Sequence, residues 1–177
     1  MNKTWVLLEK AISPPECFQL LNYVSEKQES YLPLDELPPI HEKIFTLAKD
    51  YYDLSSCNYV EQWYNSAHEG VVSGEHIDKD EQLWIRKGEV RTPLCSAILY
   101  LSVQGLKGAN LEISYKQRPP AGRFDDVEFD PDAEILVPQE GNLIFLNKAV
   151  WHRVSSYKSG HRTAFLLNFW DGEPLYG

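Results

Sequence analysis

The feature that most constrains this chain is a switch of hydrophobic period near Asn58. Beyond it, eight runs read as strands: Tyr59–Tyr64, Gly70–Ile77, Pro93–Leu101, Ala109–Tyr115, Ala133–Val137, Asn142–Leu146, Val150–Ser155 and Arg162–Trp170, separated by Gly, Asn, Pro or charged turns. Several are apolar on both faces, as in Ala164-Phe165-Leu166-Leu167, and such a strand must be covered on both sides. Residues before the switch read as helical. Ser13 with Pro14, Pro15 and Glu16 forms a capping box. Phe18, Leu20, Leu21 and Val24 follow at helical spacing, after an opening strand over Thr4–Ala11. Pro33, Pro38 and Pro39 break the chain, and Ile44, Leu47, Ala48 and Tyr51 share one face of a second helix over about 40–52. The expected fold is mainly β. N-terminal helices cover one sheet, a second sheet covers its other face, and about eight antiparallel strands form a jelly roll, or double-stranded β-helix.

A length of 177 residues suits one domain, with residues 1–57 as strand and supporting helices and 58–177 as the core. Aromatic residues make up 12% of the chain, which excludes a mostly disordered one. The longest apolar runs, such as 97–101, are too short for a membrane helix. A net charge of −9 argues against nucleic acid and anionic membrane surfaces as partners. It leaves open a small acidic ligand, for which one buried Arg suffices. Cys17, Cys57 and Cys95 are widely spaced and form no CxxC pair, and Lys3, Glu9 and Lys10 interrupt any leader-like apolar stretch. Three buried apolar thiols in a reducing, cytoplasmic setting are the expectation.

Among five histidines, His41 and His68 read as structural or solvated. His76-Ile77-Asp78 ends a strand, where residues two apart share a face, so an imidazole and a carboxylate project together. His152 lies on a later strand with Val150 and Val154 on its own face. Two histidines and one carboxylate are the ligand set of non-haem Fe(II) oxygenases, which leaves positions open for substrate and oxygen. A lone HxD also fits a surface strand end. Arg162 raises the pattern above that, because an inward Arg162 shares its face with Ala164, Leu166, Asn168 and Trp170. A buried guanidinium wants a carboxylate gripped by two parallel hydrogen bonds, and none is near in sequence. A ligand carboxylate, a distant Glu or Asp, or a solvated edge would each serve.

The order of HxD, Leu99-Tyr100-Leu101-Ser102, Pro138-x-x-Gly141-Asn142-Leu143-Ile144-Phe145, His152 and Arg162 resembles the Fe(II)/2-oxoglutarate-dependent oxygenases, most of all their prolyl 4-hydroxylase-like branch. The opening 7–17 is similar to that branch's first strand and helix. The resemblance implies that His76, Asp78 and His152 bind Fe(II). It implies that Arg162 and Tyr100 hold the distal carboxylate of 2-oxoglutarate, and that Tyr64 lies near the keto acid or substrate. Many relatives have a small polar residue two after the Arg, whereas this chain has Ala164. The implied activity is an O2-consuming dioxygenase that hydroxylates an amino acid, a peptide or protein, or another small molecule, with release of succinate and CO2. A carboxylate at 78 implies hydroxylation rather than halogenation. The rival reading is a non-catalytic, cupin-like module binding a metal or ligand. Trp63, Trp151 and Trp170 read as core. Two insertions, 79–91 and 116–132, read as substrate lids or solvated loops, with Trp84 a candidate pocket aromatic in the first.

Overall fold

The computed structural model describes residues 3–26, 30–67, 73–116 and 130–175. His68, residues 70–72 of the expected second strand and most of the acidic insertion lie outside them. The first strand, β1 (Trp5–Leu8), leads to helix α1 (Pro14–Glu26). Glu16 reaches back at the start of α1 and accepts from both the Ser13 amide at 2.8 Å and its hydroxyl at 2.6 Å. The expected capping box is therefore one-sided, because the hydroxyl donates to the carboxylate rather than capping an amide. Cys17 and Leu20 are the inward positions, while Phe18 is 64% exposed. The side chain of Val24 is outside the described set. A short edge strand, β2 (Ser30–Pro33), and a turn of 3-10 helix follow, and then α2 (Pro39–Lys49). The inward face of α2 is His41, Ile44, Phe45 and Ala48. Lys43 ties α2 to α1 through Glu16 at 2.7 Å.

All eight expected strands are present. They are β3 (Tyr59–Ala67), β4 (Ser73–His76), β5 (Cys95–Gly108), β6 (Leu111–Ser114), β7 (Glu134–Leu136), β8 (Leu143–Asn147), β9 (Trp151–Val154) and β10 (Tyr157–Trp170). With β1 and β2 they form an antiparallel six-stranded sheet in the order β1-β8-β5-β10-β3-β2, facing a four-stranded sheet β4-β9-β6-β7. This is the jelly roll. β3 runs on from its expected end to Ala67, and two strands extend much further. β5 and β10 continue as paired arms over 102–108 and 157–161 through irregular registers. Gly105 and Gly160 carry this approach. A Cβ on Gly160 would meet the Gly105 backbone at 2.4 Å, and its φ of +93° is one that L side chains rarely adopt.

The six-stranded sheet buries two different faces. Phe165, Leu167 and Phe169 of β10 point to the helices, with Leu99, Phe145, Ile44 and Phe45. Ile98, Tyr100, Ile144 and Ala164 point to the other sheet, with Leu111 and Ile113. His41 belongs to the helix-side core, where its Nε2 is 2.6 Å from Gln62 Oε1 and its ring stands edge-on to Phe165. The three cysteines are buried and free, and burial pushes the Cys17 and Cys57 thiols up to about 11. The first insertion forms helix α3 (Glu81–Lys87), capped by Asp80 accepting from the Leu83 amide at 2.8 Å. The C-terminal segment is tied to this helix: the Leu175 amide donates to Asp80 and Arg91 grips Asp171. No helix among the described residues is long and apolar enough to cross a membrane.

Candidate metal centre

β4 and β9 pair antiparallel with His76 directly opposite His152, so the two imidazoles stand side by side with centroids 4.4 Å apart. Asp78 follows two residues after His76. Its Oδ1 lies 3.9 Å from Nε2 of each histidine, and ligand atoms of all three lie within 4.8 Å of one another. Each ring is oriented by the backbone two residues before it. His76 Nδ1 is 2.7 Å from the Gly74 carbonyl and His152 Nδ1 is 3.0 Å from the Val150 carbonyl. A carbonyl only accepts, so Nδ1 carries the proton in both rings and the Nε2 lone pairs face Asp78. The second oxygen of Asp78 accepts a hydrogen bond from Ser96 Oγ at 2.6 Å.

These side chains line one cavity of about 160 Å3 together with Tyr100, Arg162 and Asn65. Its remaining walls include Ile98, Leu111, Val154 and Leu166. Arg162 is 4% exposed. Its guanidinium stands 5.7 Å from the Tyr100 ring centre, and no described carboxylate pairs with it. Arg162 Nε and the Tyr100 hydroxyl are buried without a hydrogen-bond partner. Burial pulls the Arg162 pKa down. Burial also pushes the Tyr100 phenol up to about 12, opposed by Arg162, so the phenol stays protonated near neutral pH and can donate. An orphaned polar group in a dry site costs roughly 1–3 kcal/mol, and a bound carboxylate would relieve both groups. The cavity is below the roughly 300–1,000 Å3 of drug-sized sites, which suits a small acid. A larger cavity of about 420 Å3 is lined by Ile77 and Trp151, the neighbours of the two histidines. Strand alternation turns those side chains away from the triad, and none of its three members lines that cavity.

Of the expected site residues, His76, Asp78, His152, Arg162 and Tyr100 come together. Tyr64 does not. It is 40% exposed, and its neighbours Trp63 and Asn65 line the cavity instead. β3 pairs with β10 so that Trp63 faces Leu166 and Asn65 faces Ala164, which turns Tyr64 to the helix side. Trp63, read from sequence as core, is a cavity wall. Trp84 on α3 does not line the cavity. Sequence reasoning also passed over Asn65, whose buried Oδ1 lacks a partner, and Ser96. The phase of Arg162 carried across to β3 could have found Asn65, whereas no local signal marks Ser96.

No family model matches this chain, and no curated protein matches it in sequence. Solved structures do match in fold. A 2OG-Fe(II) oxygenase family oxidoreductase from Burkholderia pseudomallei is 14% identical with a TM-score of 0.61, over 97% of this chain and 87% of that one. A Pseudomonas putida prolyl-4-hydroxylase is 13% identical with a TM-score of 0.64, over 97% and 88%. HygX from Streptomyces hygroscopicus, solved with nickel and 2-oxoglutarate bound, is 16% identical with a TM-score of 0.59, over 94% and 82%. At these identities the likeness establishes the fold shared with those proteins.

Proposed function

We propose that the protein is a non-haem Fe(II)- and 2-oxoglutarate-dependent dioxygenase that hydroxylates an amino acid, a peptide or protein, or another small molecule, releasing succinate and CO2. The carrying observation is that a buried guanidinium with no carboxylate partner among the described residues shares a small cavity with a His-Asp-His cluster. A structural metal alone would leave Arg162 without a counterion among the described residues.

In this reading His76 Nε2, Asp78 Oδ1 and His152 Nε2 hold the metal on one face. Iron supplies the oxygen activation when bound, with 2-oxoglutarate as the electron source. The chain's own residues bind and orient. Arg162 grips the far carboxylate of the cosubstrate with parallel N–H donors, and the neutral Tyr100 hydroxyl donates to the same group. The apolar walls keep bulk water from that pairing, which strengthens it. The Nδ1–H groups donate to the backbone carbonyls of Gly74 and Val150, which fixes the ring orientation and aims both Nε2 atoms inward.

The test is an anaerobic titration with Fe(II) and 2-oxoglutarate, read by the metal-to-ligand absorption band, then succinate release over a panel of amino acids, peptides and small molecules. The band is expected with wild-type protein and lost with Asp78→Ala. Wild-type protein that binds metal but shows neither the band nor succinate release would favour the non-catalytic binding module.

A further inference from the structure

The three clustered ligands are not held in the same way. Each histidine is oriented by the backbone carbonyl two residues earlier. Asp78 lies beyond the end of β4, outside the ladder. The bond that orients its carboxylate crosses to the opposite sheet, where Ser96 Oγ donates to Oδ2 at 2.6 Å. That distance falls in the range of hydroxyl bonds to an ionised carboxylate, about 2.5–2.7 Å. Ser96 is itself well anchored. It is 5% exposed, and it sits on β5 between Leu146 of β8 and Asn168 of β10.

We infer that Ser96 is the positioning residue of this centre: its hydroxyl holds Oδ2 of Asp78 so that Oδ1 alone faces the metal, and it thereby fastens the ligand loop of one sheet to the central strand of the other. The inference rests on the metal-binding reading above. A carboxylate free to rotate can swing away from the metal or offer both oxygens to it, and each motion disturbs the three-point geometry the imidazoles set. A hydroxyl that occupies Oδ2 removes both motions. Groups that orient a metal ligand typically contribute about 10- to 100-fold in metal affinity.

The experiment is a Co(II) titration of the full chain without 2-oxoglutarate, read by calorimetry and by the visible absorption of the bound ion. Wild type, Ser96→Ala, Ser96→Thr and Asp78→Ala are compared, each after its melting temperature is recorded. Ser96→Ala is expected to weaken Co(II) binding by about 10- to 100-fold and to change the absorption envelope. Ser96→Thr keeps the hydroxyl and is expected to restore both. The inference is overturned if Ser96→Ala binds as tightly as wild type, or if Thr fails as badly as Ala, which would mark a packing role. Wild type that binds no Co(II) removes the metal reading and the inference together. Tight binding that Asp78→Ala abolishes and Ser96→Ala leaves alone removes the inference only.

Discussion

The two faces of the six-stranded sheet are built from the same strands and do opposite work. Along β10, Phe165, Leu167 and Phe169 face the helices at 1% exposure or less, while Arg162, Ala164 and Asn168 face the second sheet at similar burial. The helix side is closed by apolar contact, with the Phe45 and Phe169 rings 5.5 Å apart and its polar pair, His41 and Gln62, bonded to each other. The inner side buries Asn65 Oδ1, Tyr100 OH, Arg162 Nε and Asn168 Oδ1 without partners. Each unmet group costs stability that an apolar residue there would not. The helix side leaves the Tyr52 hydroxyl unmet as well, but on the inner side Asn65, Tyr100 and Arg162 gather their unmet atoms around one cavity, and such local departures mark functional sites.

The sharpest way to break that contrast is at the cluster. Replacing His76 or Asp78 with alanine is expected to abolish succinate release while the melting temperature holds or rises, because these two side chains contribute ligation rather than packing. Turnover surviving in either variant, measured as succinate per enzyme, would remove the triad from the chemistry. The opposite pattern is expected from the helix side. Phe169→Ala empties a fully buried position and should cost about 3–5 kcal/mol in urea unfolding. Metal affinity of the protein that remains folded should be unchanged. A loss of Co(II) affinity matching the loss of stability would mean that the two faces are energetically one.

The contrast was legible in the sequence where a strand states its own phase. In β10 the alternation groups Arg162 with Ala164, Leu166 and Asn168 against Thr163, Phe165 and Leu167, so the guanidinium's face-mates were legible, while its inward direction was a condition because both faces are apolar. In β3 the run Trp63-Tyr64-Asn65 offers a large or polar side chain to either face, and a shift of one residue inverts every assignment. Only the register with β10 settles it, against Tyr64. Gly105, Gly108 and Gly160 read as turns and proved to be places where two long strands come close. The caps of α3 were present as Asp80 and Gly88, but the charge of the insertion masked them. Ser96 lies 18 residues from Asp78 and on the other sheet, so its role exists only after folding.

Arg162 separates the two kinds of energy within one residue. Arg162→Leu is expected to raise the 2-oxoglutarate concentration for half-saturation by about tenfold to a hundredfold, the worth of a charge-assisted bond of roughly 1.5–3 kcal/mol. Unfolding free energy is expected to stay level or increase, since an apolar replacement of a buried charge is often neutral or stabilising. A large loss of stability with an unchanged 2-oxoglutarate requirement would assign Arg162 to the scaffold and leave the far carboxylate to another group.

The smallest expected effect tests whether charge matters to the helix layer at all. Glu16 accepts from Lys43 and from Ser13, and these bonds, Lys43 first, hold its carboxyl down at about 2. The folded value lies below the unfolded one, so this contribution is complete above about pH 4.5 and fades as pH falls toward 2. Glu16→Gln should therefore cost about 0.5–1 kcal/mol near neutral pH, as a helix cap and surface pair do. It should cost less as the pH is lowered through that window, as read from unfolding midpoints at several pH values. The variant and the wild type should converge at the acid end, because both then carry a neutral group beside Ser13 and Lys43. A gap that stays constant with pH would place the effect in packing at the α1–α2 joint. A gap larger than the Phe169 loss would mean that ion pairing, not the apolar face, seats the helices on the sheet.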